Sequence, residues 1–522
     1  MAQKNTNEGR ITGAASIVGA ATVVSRLLGY LRDASIAYVF GASFYADAFF
    51  MAFRIANLLR RLVGEGALTS SFIPIFTDEL NKRGRVAVAG LVSSIFTLFA
   101  IILIALTGLG MIFSRELVWL LSPGFASDPL KFNLTIDLTR MMFPYMFFVG
   151  LMAIAMGVLN SVRHFASPAI SPVFFNIAII FSIFVVAPLL NTPVYALAIG
   201  VLAGGFLQFA IQVPFLKKYG FSPRLSIAMK DPAIKRILLL MGPAAFGVGV
   251  YQLNIFVTLW FSSQLAEGSV SYLYYSGRLM ELPLGVFSVA VTTAALPSLS
   301  EHVAKKDWAG FRESFSFAMR IVNFVTIPAT VGLFVLSYPI IDVLFKRGEF
   351  GYEDTMGTAL ALYYYAIGLV PVAASRILMS VFYSTKDTAT PVWVAFVSFV
   401  FNVVFCFLLI GPLKHAGLAL ATSIAGLINA ILLFMLLRKR FNDIGARFMF
   451  TSALKSSVAS IVMGAIIYSI IYVSGFERLS VVSKSVVIAI CMASGAISYL
   501  VMARVLKCPE IAFLKAILKR GA

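Results

Sequence analysis

The sequence predicts an all-α polytopic membrane protein of about fourteen transmembrane helices, and three observations carry that reading. Of its 522 residues 60% are hydrophobic and only 12% charged, with a mean hydropathy of +0.92, more apolar surface than a soluble domain needs for one core. Apolar runs of about 20 residues recur along the chain, each long enough to cross roughly 30 Å of hydrocarbon as a helix that satisfies its own backbone. The runs are continuous, not alternating, which excludes a transmembrane β-barrel.

In order, the spans fall near residues 13–40, 45–77, 86–113, 133–161, 168–190, 194–216, 235–265, 269–300, 315–345, 356–384, 390–411, 416–437, 452–474 and 481–504. The first follows a polar stretch and the small-residue run from Ala14 to Ala21, which has the look of a signal peptide. Arg26 and Arg32 follow without a small-x-small cleavage pattern, so it is kept as a span. Gly41–Phe44 separates it from the second, and Lys82-Arg83-Gly84-Arg85 separates the second from the third. Arg163 follows the fourth, Leu189–Pro193 the fifth, and the basic stretch from Lys217 to Arg236 the sixth. Leu265–Gly268 follows the seventh, Lys305-Lys306 the eighth, Lys346-Arg347 the ninth, Arg438-Lys439-Arg440 the twelfth and the Lys515–Arg520 tail the last.

Alternate connections therefore hold the Lys and Arg, and by the positive-inside rule both termini are cytoplasmic. Lys346-Arg347 falls on the outer side against this trend, accompanied by Glu349, Glu353 and Asp354. The net charge of +19 is spread over these short loops instead of forming one basic domain, so it reads as topology signal and contact with anionic membrane lipids, not as a nucleic-acid surface. Cys406, Cys491 and Cys508 lack CxxC spacing and lie in or beside apolar runs, and they are read as packing residues. No connection is long enough for a soluble catalytic domain, so function resides in the membrane.

The chain resembles itself. Ala48–Arg54 aligns with Tyr272–Arg278 at an offset of 224, and Pro74 with Pro297, Pro168 with Pro391, Pro188 with Pro412 and Gly204 with Gly426 at 223, 223, 224 and 222. Two six-helix lobes follow, 1–220 and 221–440, with two extra helices and a cytoplasmic tail in 441–522. Each lobe holds an even number of spans, so the repeat is parallel. Transporters of that symmetry bind substrate between lobes and rock them.

The informative residues are charges inside spans, each costing several kcal/mol unless it meets water, a partner or a ligand. Asp47, Arg54, Arg61 and Glu65 are spaced by 7, 7 and 4, which places them within roughly 40° of one helical line over about 27 Å. Asn57 widens this stripe and Arg60 points elsewhere. The first span adds Arg26, Arg32 and Asp33, and the eighth Arg278 and Glu281. Arginine outnumbers acid in the set, and its planar fork suits phosphate oxygens. The surplus therefore asks for an anion, most naturally a phosphate or diphosphate. The alternative is structural: carboxylates or carbonyls neutralise the arginines and hold the bundle in register, or Arg60 snorkels where the helix breaks near Gly64-Glu65-Gly66. The second lobe reads as far less charged. Gln252, Asn254 and Asn402 could ligate a coupling cation, although helix–helix hydrogen bonding is the simpler reading. His164, His302 and His415 are placed in loops and suggest no proton relay. There is no nucleophile triad, HExxH, Walker loop or dinucleotide fingerprint, and no cofactor is implied.

At Ser25-Arg26-Leu27-Leu28-Gly29-Tyr30-Leu31-Arg32-Asp33, Ala46–Phe50, Asn57–Arg61, Glu65-Gly66-Ala67, Tyr274–Glu281 and Gly411–Gly417 the chain resembles the MurJ (MviN) family of lipid II flippases. That family belongs to the superfamily that also holds multidrug and polysaccharide exporters. The resemblance implies a fourteen-helix transporter of the bacterial cytoplasmic membrane, not an enzyme, with lipid II, the undecaprenyl-diphosphate-linked disaccharide peptide, as cargo. It implies that Arg26, Arg32, Arg60 and Arg278 are the substrate-binding arginines required for flipping, and that Asp47, Arg54 and Glu65 line the same cavity; Asp33, Asn57, Arg61 and Glu281 are added to that lining from their places in the spans. It further implies a groove for the lipid tail by the last two spans, and the cell-wall synthesis machinery as a candidate partner. Two positions depart from the family, which often has Pro in place of Ala56 and an acid in place of Gly277. The alternatives are export of another lipid-linked oligosaccharide, multidrug export, a membrane-embedded enzyme, or a non-transporting cell-wall scaffold.

Overall fold

A computed structural model describes residues 2–60, 69–226, 231–441 and 444–512, and within them the regular structure is helical throughout. In hydrocarbon every peptide group must find its partner inside its own segment, and the apolar runs accordingly fold as helices. The chain runs α1 (Ala2–Phe40), α2 (Phe44–Arg60), α3 (Thr69–Ile112), α4 (Ser114–Leu121), α5 (Pro129–Ser161), α6 (Ala166–Phe181), α7 (Tyr195–Ala210), α8 (Val213–Lys218) and α9 (Pro232–Ser262). It continues as α10 (Ser269–Pro283), α11 (Val289–Ala304), α12 (Trp308–Phe345), α13 (Tyr352–Ile367), α14 (Leu369–Ser384), α15 (Ala389–Phe441), α16 (Ala446–Ser474) and α17 (Val481–Val505).

Two of these are each a pair of segments. Gly84 at φ 74° divides α3 within the basic tetrapeptide, a backbone state glycine enters without steric cost. Lys414 at φ 50° divides α15 just after Pro412. The second predicted span falls on α2 and the start of α3, with residues 61–68 outside the described ones. Two other predicted spans are interrupted, the eighth between α10 and α11 by a π-turn at Leu284–Ser288, and the tenth by a 42° bend between α13 and α14. Among the described residues eight helices are long and apolar enough to cross a membrane, or nine if the bent pair counts as one. Each of the fourteen predicted spans meets helix within the described residues. Large side chains such as Phe407, Trp393 and Val473 remain exposed, as a lipid-facing surface requires.

Contacts divide the chain into two compact units, Met1–Glu267 and Gly268–Ala522. In the first, α3, α5 and α9 bury Phe72, Phe76, Phe99, Leu103, Ile154, Val158 and Ile234, with Phe72 and Phe76 stacked at 5.1 Å. Small residues bring α6 and α7 together: a Cβ on Gly204 would lie 2.7 Å from the Phe175 ring, and one on Gly200 2.9 Å from the Ile179 Cα. Close backbone approach through glycine is how helices gain dispersion energy where lipid supplies no hydrophobic drive.

In the second unit Phe311, Phe315, Leu369, Ile377, Val381 and Leu433 form one core. Phe324, Met463, Ile467, Cys491 and Tyr499 join α16 and α17 to α12 in another. All three cysteines are buried and free. The last two helices are pinned to α12 at both ends. Lys484 Nζ donates to both Asp342 oxygens at 2.9 and 3.1 Å; at the other end Ser452 donates to Glu510 at 2.9 Å, with Arg320 3.6 Å away. Lys346, whose charge stood out on the outer side, pairs with Asp342 at 3.3 Å. The packing boundary at 267 leaves α9 in the first unit, whereas the sequence repeat opens its second lobe at 221; packing and repeat are separate criteria, and the repeat is carried forward.

Candidate functional site

The candidate residues lie on α1, α2, α5 and α6 in the first unit and, taken separately, on α10 and α14 in the second. Arg26 is exposed on α1. One and a half turns on, Arg32 is 6% and Asp33 2% exposed. The Arg32 Nε and Nη2 donate to Asp33 Oδ1 at 3.0 and 2.6 Å, and Nη1 donates to Asn176 Oδ1 at 3.2 Å. Asn176 in turn donates to the Ser25 carbonyl at 3.1 Å, and the Phe175 ring lies 5.9 Å from the guanidinium. This network ties α1 to α6. Hydrogen bonds on several sides are what a desolvated ion pair needs to persist.

Asp47 opens α2 and is 1% exposed. It meets a partner that the sequence reading did not name, Lys131 of α5, whose Nζ lies 2.9 Å from Asp47 Oδ2 and 4.4 Å from the centre of the Phe125 ring. Asp128 caps α5 by accepting from Leu130 and Lys131 N–H at 3.0 and 3.2 Å. That cap fixes Lys131 in the first turn, facing α2. Asp47 is thus paired with a cation of its own unit. Arg54 and Asn57 continue its face of α2, both half-buried. Arg60 is the last residue of α2, with its side chain outside the described residues, and Arg61 and Glu65 lie outside them altogether.

In the second unit Arg278 and Glu281 stand one turn apart on α10, 3.4 Å from each other with side chains 42% and 63% exposed. The preceding motif residues are packing elements. Tyr275 is fully buried against Phe345 and Phe350 at 5.1 and 5.6 Å, and Tyr272 donates to Asp354 at 3.2 Å. A Cβ on Gly277 would meet nothing within 4 Å, so the acid common there in the family has room. The second unit is more charged inside than the sequence reading held. Arg320, Asp342, Arg376 and Lys484 all lie within predicted spans, three of them in the ion pairs of the hairpin, while Arg376 on α14 donates to the Leu284 carbonyl at 3.4 Å.

The amide candidates for a cation fall in both units. Asn402 is buried and accepts from Cys406 at 3.8 Å, Gln252 is buried and Asn254 is half-buried. Among the described residues no three His, Cys, Asp or Glu side chains gather as a metal site. Two histidine placements are corrected. His302 ends α11 and bonds Asp307 at 2.9 Å; His415 begins the second segment of α15 and donates to the Gly357 carbonyl at 2.9 Å. Both were assigned to loops because flanking charges mask helix ends in a hydropathy profile. His164 does lie in a loop, stacked on Phe215 at 4.7 Å; burial, then nearby Lys218, pulls its pKa down.

The family model described as "Lipid II flippase MurJ" matches residues 36–501. The lipid II flippase MurJ of Burkholderia cenocepacia is 38% identical over 423 residues, covering 80% of this chain and 82% of its own. The probable lipid II flippase MurJ of Bdellovibrio bacteriovorus is 35% identical over 514 residues, 97% of both chains. Among solved structures, "Lipid II flippase MurJ, inward closed conformation" superimposes with a TM-score of 0.79 at 28% identity, covering 96% of this chain and 99% of that one. An inward-facing multidrug resistance MATE family transporter of the MOP superfamily gives 0.65 at 15% identity, over 80% and 95%, a likeness of fold.

Proposed function

Because the chain belongs to the MurJ family of lipid II flippases, we propose that it carries lipid II from the inner to the outer leaflet of the bacterial cytoplasmic membrane by alternating access, both termini being cytoplasmic. The family match across residues 36–501 is the observation that carries this reading. The chemistry agrees with it, since a diphosphate is the part of such a cargo that hydrocarbon excludes most strongly and arginine forks bind best.

Arg26, Arg32, Arg60 and Arg278 engage the diphosphate, with Asp33, Asp47, Arg54, Asn57, Arg61, Glu65 and Glu281 around them. The exposed Arg26 and Arg278 make first contact. Arg32, held by Asp33 and Asn176, keeps the Ser25–Arg26 turn of α1 in place and reaches the cargo once those bonds exchange. The lipid tail stays in the bilayer beside α16 and α17. No covalent step is required, and the chain works as a transporter.

The test is depletion of the protein in cells that lack a second flippase, followed by an externally added enzyme that cleaves only outward-facing lipid II. Lipid II should become inaccessible while its total level holds, and wild-type protein but not Arg278→Ala should restore access at equal abundance. Unchanged access on depletion would overturn the reading in favour of another lipid-linked oligosaccharide or a cell-wall scaffold. Export of cationic drugs is disfavoured by the surplus of arginine.

A further inference from the structure

The helix that carries Arg278 and Glu281 is broken just beyond them. Pro283 supplies no N–H, and its ring crowds the carbonyl one turn back; Gly285 follows two residues later, and the backbone answers with a π-turn at Leu284–Ser288 before α11 resumes. The Leu284 N–H turns to the Glu281 carbonyl, so the regular i to i−4 ladder of α10 gives way here to the wider π pattern. π-turns inside helices often mark functional sites, and the extra residue makes them natural points of flexure.

One side chain from another helix addresses this break. Arg376 Nη1 donates to the Leu284 carbonyl at 3.4 Å, and one turn away Ser288 donates across to the Ala373 carbonyl at 3.5 Å. Both bonds are long, so each is weak on its own, and the charge of the guanidinium strengthens the first. Arg376 lies in the middle of a predicted span, where an arginine is retained only if it meets a partner or a ligand. The two bonds come from the same face of α14, at positions 373 and 376, and both land on the π-turn.

We propose that Leu284–Ser288 is a hinge in the helix bearing the substrate arginine, and that Arg376 is the positioning residue that sets its angle. The proposal rests on the reading of Arg278 as a cargo-binding residue. It assigns to Arg376 the work of aiming Arg278 and Glu281 through α10, separately from any contact with cargo. Losing Arg376 frees α10 to swing about Pro283; healing the break by Pro283→Ala removes what Arg376 acts on.

The test is a distance measured without cargo. Nitroxides at Ala266→Cys, just before α10, and Lys305→Cys, just after α11, bracket the interrupted helix, the three native cysteines being buried, and a straight helix from Ser269 to Ala304 would be about 53 Å long. By pulsed electron–electron double resonance in nanodiscs the full-length protein should give one narrow distribution, shorter than that. Arg376→Ala should broaden it at least twofold, and Arg376→Lys should restore most of the narrow peak. In the Pro283→Ala background the distance should lengthen and Arg376→Ala should add nothing. An unchanged width in Arg376→Ala, or equal broadening with and without Pro283, overturns the proposal. So does loss of lipid II translocation with an unaltered distribution, which would put Arg376 on the cargo itself. Where the alanine variant fails to fold, Arg376→Gln is read instead. The distances involve no cargo, so they stand apart from the identity of the lipid.

Discussion

Replacing Lys131 by Met removes a paired cation from an Asp47 carboxylate that is only 1% exposed. At the observed 2.9 Å the Coulomb attraction is about 6 kcal/mol at an effective dielectric of about 20, much of it offset by the desolvation of both ions. The Phe125 face, 4.4 Å from the ammonium, adds up to roughly 2 kcal/mol when water is excluded. Breaking a buried pair from one side therefore costs about 3–5 kcal/mol, whereas removing both charges costs far less. Lys131→Met and Asp47→Asn should each lower thermal stability sharply in detergent, and the double variant should recover most of the loss. Read as a double-mutant cycle, the coupling should exceed about 2 kcal/mol. Additive losses, or single variants as stable as wild type, would refute the assignment of Asp47 to a buried ion pair and return it to open cargo contact.

Asn176→Ala should cost about 1.5–3 kcal/mol, the value of a hydrogen bond to a charged group, and should slow lipid II delivery to the outer leaflet without abolishing it; total loss would mean that Asn176 touches cargo. Gly204→Val should destabilise by about 1–3 kcal/mol, since its Cβ would meet the Phe175 ring, and thermal unfolding of the purified variant reads this directly. Asp231, which caps α9, has its carboxyl pulled up by burial but more strongly down by the Ala233 N–H and by Arg83, for a net lowered pKa. Its stabilisation is therefore complete above the ordinary carboxylate range and is lost as pH falls through the lowered value. The stability gap between wild type and Asp231→Asn should close on acidification, and a gap that widened would reverse the assignment.

Helix was legible because continuous apolar runs leave the backbone no other way to satisfy itself, and the loop charges marked where runs end. What hydropathy could not carry was the placement of single charges near those ends. Lys131 lies two residues before the predicted fourth span, although the Asp128-Pro129 cap-and-first-turn signal would have started the helix early enough to include it. Arg376, Asp342 and Lys484 were absorbed into apolar averages, which register composition but not which face a charge occupies. The stripe on the second span was drawn through residue 65 by spacing alone. Its first half is seen on α2 at Asp47, Arg54 and Asn57, Arg61 and Glu65 lie outside the described residues, and the spacing gave no hint that Asp47 is occupied by a lysine from another helix. Pro283 and Gly285 were in plain view within the eighth span, yet a proline in a membrane helix leaves open whether the result is a bend or a π-turn, because neighbouring helices decide how the freed carbonyls are met.

The pairing of Lys484 with Asp342 spans 142 positions of sequence, and that separation bears on biogenesis. A chain growing at about 5–20 residues per second inserts α12 on the order of ten seconds before α17 emerges. Through that interval Asp342 has only its own helix to turn to, and Lys346 stands one turn away within reach of the same carboxylate. In the finished fold the acid is shared between the local lysine and the distant one, at 3.3 and 2.9 Å. A chain that stops before residue 484 would leave Asp342 with the local lysine and without the pair that ties α17 to α12.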